Sequence, residues 1–182
     1  MQVEVCIQDC LTEADGWDQE ATFPVGDRAS LESYPIALET WSFWFHRWLE
    51  TLQPNLSPIQ SYELSLRLTS DRDIQSLNAQ YRQQDQPTDV LAFAALETHC
   101  PQPDALQSDL PLYLGDIIIS VDTARQQAQT QGHLLRTELA WLASHALLHL
   151  LGWDHPDHES LVRMLSKQQT LLDTVGLSMA SS

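Results

Sequence analysis

The sequence predicts an α+β (mixed α/β) fold, in which a single mixed four-stranded sheet is packed with about five helices. The segment YELSLRLT, residues 62–69, alternates strictly between apolar and polar side chains, as a half-buried strand does. Trp41, Trp44 and Trp48 recur at helical spacing and form an apolar stripe. Segments of both kinds follow one another along the chain, which is typical of one sheet covered by helices.

The first sixty residues contain one predicted strand and one predicted helix. Residues 3–7 (VEVCI) alternate weakly and predict a short strand. Residues 8–29 are acidic and lack periodicity, which predicts a loop or an insertion. The tryptophan stripe then predicts a helix over about 35–52, with its aromatic face in the core.

The middle of the chain continues with a strand, a helix and another strand. After the strand over 62–69, Ser70 and Asp73 resemble a capping box, which predicts a helix through about Tyr81. The apolar segment TDVLAFAA, residues 88–95, predicts a buried strand.

The last part of the chain contains the fourth strand and three helices. Residues 97–112 carry three prolines and predict a loop, and YLGDIIISVD, residues 113–122, predicts a strand. Its Gly115-Asp116 pair predicts a bulge or close packing. The helices are expected over about 123–131, 134–151 and 157–172. Residues 178–182 are expected to be a disordered tail, and 1–182 to form a single domain.

Composition restricts the classes of function. The formal charge of -16 argues against broad, non-specific binding of nucleic acid, which depends on many Lys and Arg contacts to phosphate. No apolar run is long enough to span a membrane, and the first residues lack the pattern of an export signal. The three cysteines form no C-x-x-C pair. We therefore expect free thiols in a cytoplasmic protein that has no membrane partner.

Three histidines occur in HALLHLLGWDH, residues 145–155. His145 and His149 are four residues apart, so a helix places both imidazoles on one face. Gly152 predicts a left-handed helix stop, after which the chain turns back and brings in His155. Two histidines from a buried helix and one from the following turn leave a fourth metal position open, as in catalytic zinc sites. We predict one Zn2+ per chain, with another divalent metal as the alternative.

The same spacing occurs in the metzincin protease pattern, H-E-x-x-H-x-x-G-x-x-H. In that pattern the Glu after the first His is the general base. Ala146 occupies this position here, and its methyl group cannot transfer a proton. The metal site is therefore predicted to be intact without the protease base. Either the base comes from elsewhere, or the substrate needs less help from one.

Four motifs follow one another in a fixed order: LNAQYR at 77–82, PTDVLAFA at 87–94, LGDIIIS at 114–120, and the histidine segment. Together they resemble the YbeY family of bacterial rRNA maturation factors. The family motifs read L-N-x-x-Y-R, P-T-D-V-L-S-F-P, L-G-D-I-x-I-S and H-G-x-L-H-L-x-G-Y-D-H. The resemblance covers about residues 60–160.

The departures from these motifs are small changes beside the metal ligands. They are Ala92 for Ser, Ala94 for Pro, Ala146 for Gly and Trp153 for Tyr. None of them removes a ligand, so they affect the expected shape of the active site and not the expected metal.

The resemblance implies a single-strand-specific, metal-dependent endoribonuclease. It implies action in rRNA processing, notably at the 3′ end of the small-subunit RNA, and in ribosome quality control. The implied partners are single-stranded RNA and the ribosome or ribosome-associated proteins. The implied catalytic residues are Arg82, His145, His149 and His155, with the three histidines as metal ligands. A zinc ion held in this way lowers the pKa of its water to about 7, which supplies a nucleophile.

Two residues near the predicted metal remain open to two interpretations. Arg82 can hold a phosphate oxygen through its planar fork, but from its position alone it is a solvated arginine at a helix end. Asp154 either orients a ligand imidazole or caps the last helix.

Two other functions compete with the endoribonuclease. The first is a metal-dependent protease or other hydrolase, against which Ala146 argues. The second is a non-enzymatic ribosome assembly factor whose metal is structural. The acidic charge keeps this second alternative open, because a partner protein would then deliver the RNA.

Overall fold

The computed structural model describes residues 1–11, 35–97 and 109–178. The strands in these ranges are β1 (Gln2–Asp9), β2 (Ser61–Thr69), β3 (Val90–Ala94) and β4 (Leu112–Ser120). The helices are α1 (Leu38–Leu52), α2 (Asp71–Arg82), α3 (Val121–Gln131), α4 (Leu135–Leu150) and α5 (His158–Thr174). A short 3-10 turn, Ala95–Glu97, follows β3.

The four strands form one sheet in the order β1-β2-β4-β3. β1 pairs with β2 and β2 pairs with β4 in parallel, whereas β3 runs antiparallel to β4 at the edge. The parallel pairs are joined by crossovers that contain helices, as parallel pairing requires. The prediction of one mixed four-stranded sheet with about five helices is confirmed.

Helices α1, α4 and α5 pack on one face of the sheet. The tryptophan stripe of α1 lies in this core as predicted, since Trp41, Trp44 and Trp48 are at most 1% exposed. Trp48 also donates a hydrogen bond from its indole nitrogen to the Leu171 carbonyl on α5, at 3.0 Å. The buried indole therefore gains a partner, and α1 holds α5 in place against α4.

Helix α2 packs on the opposite face of the sheet. Ile74 of α2 forms a small apolar cluster with Leu91 of β3 and Ile118 of β4. Ser70 caps the helix as predicted, because its side chain accepts a hydrogen bond from the Asp73 N–H. This packing places the last turn of α2 beside the edge strand β3.

The ends of several elements differ from the predicted ends by one to three residues, those of β1 and β4 among them. β1 continues through Asp9, so the first two residues of the predicted loop over 8–29 belong to the strand. β4 ends at Ser120 and not at residue 122, because the Ser120 side chain accepts from the Thr123 N–H and begins α3 there. Ser120 is thus both the last residue of β4 and the cap of α3.

Some predictions lie outside the described residues. They concern the loop over 12–29, the loop over 98–108 and the tail over 179–182. The described helices do test the expectation about membranes: none of them is both long enough and apolar enough to cross one.

The predicted irregularity in β4 lies at Gly115. Pairing with β2 shifts between Glu63 and Ser65, so Leu114 and Gly115 together face one residue of β2. Gly115 has φ +136°, and a Cβ atom there would overlap the Phe93 carbonyl oxygen and lie 3.1 Å from the Leu150 Cδ2. The missing side chain lets β3 and the end of α4 approach β4 closely.

We expect Gly115→Ala to lower the free energy of unfolding by about 2–4 kcal/mol, because it adds backbone strain and steric overlap at once. Urea denaturation would measure this loss. Gly132→Ala is the matched control, since Gly132 has φ +75° but open space around its Cβ position. It should cost only the strain, about 1–2 kcal/mol. Equal losses in the two variants would contradict the overlap.

Candidate metal centre

The structure brings the three predicted histidines together. His145 and His149 lie one turn apart on α4, and His155 lies in the loop that leads to α5. Their ring centroids are 4.7 Å (His145–His149), 5.6 Å (His145–His155) and 5.3 Å (His149–His155) apart. One ring nitrogen from each histidine lies within 4.8 Å of the other two. In the described ranges, no other three His, Cys, Asp or Glu side chains group in this way.

The turn after α4 is what returns the chain to the first two histidines. Gly152 adopts φ +84°. The Trp153 N–H donates to the Leu148 carbonyl at 3.0 Å, and the Gly152 N–H donates to the His149 carbonyl at 2.9 Å. These two bonds form a Schellman motif, which satisfies the last carbonyls of the helix and confirms the predicted stop.

Asp154 supports His155 and does not cap the last helix. Its carboxylate accepts a hydrogen bond from the His155 backbone N–H at 2.8 Å. Helix α5 is capped by Asp157, whose carboxylate accepts from the Ser160 N–H at 2.7 Å. Asp157 is correctly spaced for a capping box with Ser160, so the interpretation of Asp154 as the cap is wrong. Asp154 instead fixes the backbone that carries His155.

The donor set fits a divalent metal ion. The Nε2 atoms of His145 and His149 are 3.1 Å apart. Two nitrogens that each lie 2.0–2.1 Å from a tetrahedral zinc are separated by roughly 3.3 Å, so little movement is needed. Imidazole nitrogens suit zinc and several other transition metals, so this donor set alone does not select one of them.

The environment keeps the two helix histidines in their metal-binding form. Burial lowers the pKa of His145, the hydrogen bond with Gln168 opposes this effect, and the charge of His155 adds to it. Burial also lowers the pKa of His149, and the charges of His145 and His155 lower it further. Metals bind the neutral imidazole, which these effects favour at neutral pH.

Two of the ligand histidines have hydrogen-bond partners behind them. The Nδ1 of His145 lies 3.1 Å from the Oε1 of Gln168, a residue of α5 that is completely buried. His149 has a hydrogen bond with the backbone of Trp153. Such partners orient the rings that hold a metal.

Sequence reasoning missed Gln168. On α5 it shares a buried stripe with Met164, Leu171 and Leu172. A lone amide side chain within an apolar helical stripe is the signal that could have identified it, because a buried amide requires hydrogen-bond partners.

A pocket of about 420 Å³ opens onto the three histidines. Ala92 and Ala94 of β3 form one wall, and the completely buried Ala146 lies between the two helix histidines. These small side chains leave room above the metal ligands. Asp89 and Asp154 add carboxylates to the lining.

Arg82 lines the same pocket as the histidines. It is the last residue of α2, and its side chain is exposed. The structure therefore places the predicted arginine beside the predicted metal ligands. Asp116 lies on the opposite face of the sheet, where it accepts a hydrogen bond from the Tyr113 hydroxyl at 2.8 Å.

Comparisons with known proteins identify the family of this chain. The model of the family described as Endoribonuclease YbeY matches residues 29–176. A protein named Endoribonuclease YbeY from Trichormus variabilis is 53% identical over 177 residues, which cover 97% of this chain and 96% of the relative. A relative with the same name from Acaryochloris marina is 52% identical, and the match covers 100% of both chains. Another, from Trichodesmium erythraeum, is 63% identical, and the match covers 78% of each chain.

A solved structure shares the fold. The solution structure of TM1509 from Thermotoga maritima has a TM-score of 0.52 and 20% identity, and the match covers 96% of this chain and 89% of that chain. The sequence matches extend over most of this chain at more than half identity, and they include the histidine segment. The chain therefore belongs to the YbeY family of endoribonucleases.

Proposed function

We propose that this protein is a single-strand-specific, metal-dependent endoribonuclease that acts in rRNA processing and ribosome quality control. Its rRNA substrate includes the 3′ end of the small-subunit RNA. The observation that carries this proposal is the open pocket in which three convergent histidines face Arg82, in a chain of the YbeY family. The proposed site of action is the cytoplasm, with the ribosome or ribosome-associated proteins as partners.

We assign one zinc ion to His145, His149 and His155. When bound, zinc would act as a Lewis acid that lowers the pKa of water, so that hydroxide is available as a nucleophile near neutral pH. The chain contributes the orientation of the ligands. The hydrogen bond to Gln168 directs the ring of His145, and the Asp154 carboxylate holds the backbone of His155.

Arg82 is assigned to the scissile phosphate. The planar fork of a guanidinium can donate two parallel hydrogen bonds to phosphate oxygens. Because Arg82 comes from α2 and the histidines from α4 and the following loop, the phosphate would be held between two separate elements. Donors placed in this way stabilise the charge that develops as the phosphodiester is cleaved.

The overall charge shapes how RNA would reach this site. The chain has 25 acidic residues against nine Lys and Arg, so the surface as a whole repels a polyanion. RNA binding must then depend on local contacts with Arg82 and the metal, and on a partner that presents the RNA. This favours a flexible single strand, which can enter the pocket without laying a long phosphate backbone along the protein.

A non-enzymatic assembly factor is the second candidate, and the acidic surface is what favours it. In that case the metal would only stabilise the junction between α4 and the loop of His155. A protease is disfavoured, because Ala146 replaces the glutamate that the metzincin pattern requires.

We expect the zinc-loaded protein to cut a short labelled single-stranded RNA and to spare a duplex of the same sequence. EDTA should abolish cleavage, and added zinc or another divalent metal should restore it. Gel analysis of the labelled fragments would measure both effects. A fully loaded protein that leaves every single strand intact would support the assembly factor instead.

We expect His149→Ala to lose the metal, because only two histidines of the cluster found among the described residues would then remain. Zinc affinity should fall by at least about 100-fold, more than a change behind a ligand causes. A competition titration with a zinc-binding dye would measure this. His158→Ala is the control, since His158 is an exposed histidine at the start of α5. Full zinc occupancy in purified His149→Ala would contradict the proposed ligand role.

We expect Arg82→Ala to slow single-turnover RNA cleavage by about 10²–10³-fold, as loss of a transition-state donor does elsewhere. Arg82→Lys should also lose activity, because lysine keeps the charge but not the fork. Zinc content and melting temperature should stay at wild-type values. Arg72→Ala is the control, because Arg72 is an exposed arginine in the first turn of the same helix. Wild-type cleavage rates in Arg82→Ala would show that this arginine is only a surface charge.

A further inference from the structure

A completely buried amide links α5 to the metal centre. Gln168 has no exposed surface, so both ends of its side chain need hydrogen-bond partners within the protein. Its Nε2 donates to the Trp141 carbonyl oxygen at 3.2 Å. Its Oε1 lies 3.1 Å from the Nδ1 of His145. Both partners lie on α4, one turn apart, so the amide spans a single turn of the helix that carries two metal ligands.

The chemistry of the partners decides which end of the amide faces which group. A backbone carbonyl can only accept, so the NH2 end of Gln168 must face Trp141. The oxygen end must then face His145, and an amide oxygen can only accept. The Nδ1 of His145 must therefore carry the proton of this hydrogen bond.

A proton on Nδ1 leaves the lone pair of a neutral imidazole on Nε2. This Nε2 lies 3.1 Å from the Nε2 of His149, so it faces the point on which the ligand nitrogens converge. A free neutral imidazole side chain prefers the opposite tautomer, with the proton on Nε2. That tautomer would turn an N–H toward the metal position and would leave the Gln168 oxygen without a donor.

We propose that Gln168 is a positioning residue that selects the Nδ1–H tautomer of His145 and so presents Nε2 to the metal. This inference rests on the metal-ligand role of His145 in the proposed function. Gln168 does not touch the metal or the RNA, and it acts only through the ring of His145. The ring of His145 is therefore correctly oriented only when α5 is docked on α4.

The first test measures the tautomer in the metal-free protein. At mildly alkaline pH, where the imidazole is neutral, the ring 15N chemical shifts of His145 should show the proton on Nδ1. In Gln168→Met the population should move toward the Nε2–H form. Methionine is unbranched and similar in length, so it fills the same core space and replaces the amide oxygen by a thioether sulfur, which is a much weaker acceptor. A wild-type His145 with its proton on Nε2 would overturn the proposal.

The second test measures zinc affinity. Gln168→Met should weaken zinc binding by about 10–100-fold, the usual effect of removing a partner behind a metal ligand. Gln169→Met is the matched control, because Gln169 is the next residue of α5 and its side chain donates to Asp173 in an exposed pair. It should bind zinc as the wild type does. Wild-type affinity in a folded Gln168→Met would overturn the proposal.

A third variant separates the hydrogen bond of Gln168 from the space that its side chain fills. It also keeps the proposal testable if Gln168→Met does not fold. Gln168→Glu keeps an oxygen that accepts from the His145 Nδ1–H, so it should retain the Nδ1–H tautomer. Loss of that tautomer in a folded Gln168→Glu would count against the proposal. If the wild-type protein bound no zinc at all, the proposed function would fail, whereas the tautomer in the metal-free protein would still decide what Gln168 does.

Discussion

The burial of α4 is the constraint on which the rest of this structure depends. Eleven of its sixteen residues are buried, so the helix has almost no solvent face on which to place polar side chains. Yet it carries His145 and His149, which are half-buried, and imidazoles that are partly withdrawn from water need hydrogen-bond partners or a metal. The pocket between α4 and β3 leaves one side of the two rings open to a metal ion. Gln168 meets it behind His145, and the Trp153 backbone meets it behind His149.

Close backbone approach gives this arrangement its shape. At Gly115 the missing side chain lets β3 and the end of α4 lie against β4, and the small Ala92 and Ala94 then keep the pocket open. At Gly152 the left-handed conformation ends α4 and sends the chain back toward its own last turn. His155 reaches the other two histidines because of that reversal. Gly115 thus contributes both its missing side chain and its positive φ, whereas Gly152 contributes only its left-handed backbone conformation.

The site would attract a phosphate group, whereas the negative net charge of the chain repels one. The net charge of -16 disfavours contact with a polyanion, while the pocket combines Arg82 with the three histidines. An enzyme built in this way gains little from non-specific attraction along the RNA, and the cleavable strand must be selected at the pocket itself. The proposed ribosomal partners would then bring the RNA to the protein, because the surface charge does not attract it.

The sequence by itself determined the local features of this protein. Helical periodicity placed Trp41, Trp44 and Trp48 on one buried face of α1, and the four-residue spacing placed His145 and His149 on one face of α4, which lines the pocket. Gly152 marked the helix end, because a left-handed cap is a property of a few consecutive residues. Each of these predictions depends on geometry within one element, and the structure confirmed them. The family motifs added Arg82, which periodicity alone left as an exposed helix end.

The tertiary structure decided what depends on contacts between distant elements. The order of the strands and the antiparallel edge position of β3 depend on how strands that are distant in sequence pair with one another. The choice of Asp157 rather than Asp154 as the cap of α5 depended on how the loop folds around His155. Gln168 meets His145 across 23 residues of chain. No local pattern specifies that contact, because a hydrogen bond between two helices exists only once packing has set their distance and rotation.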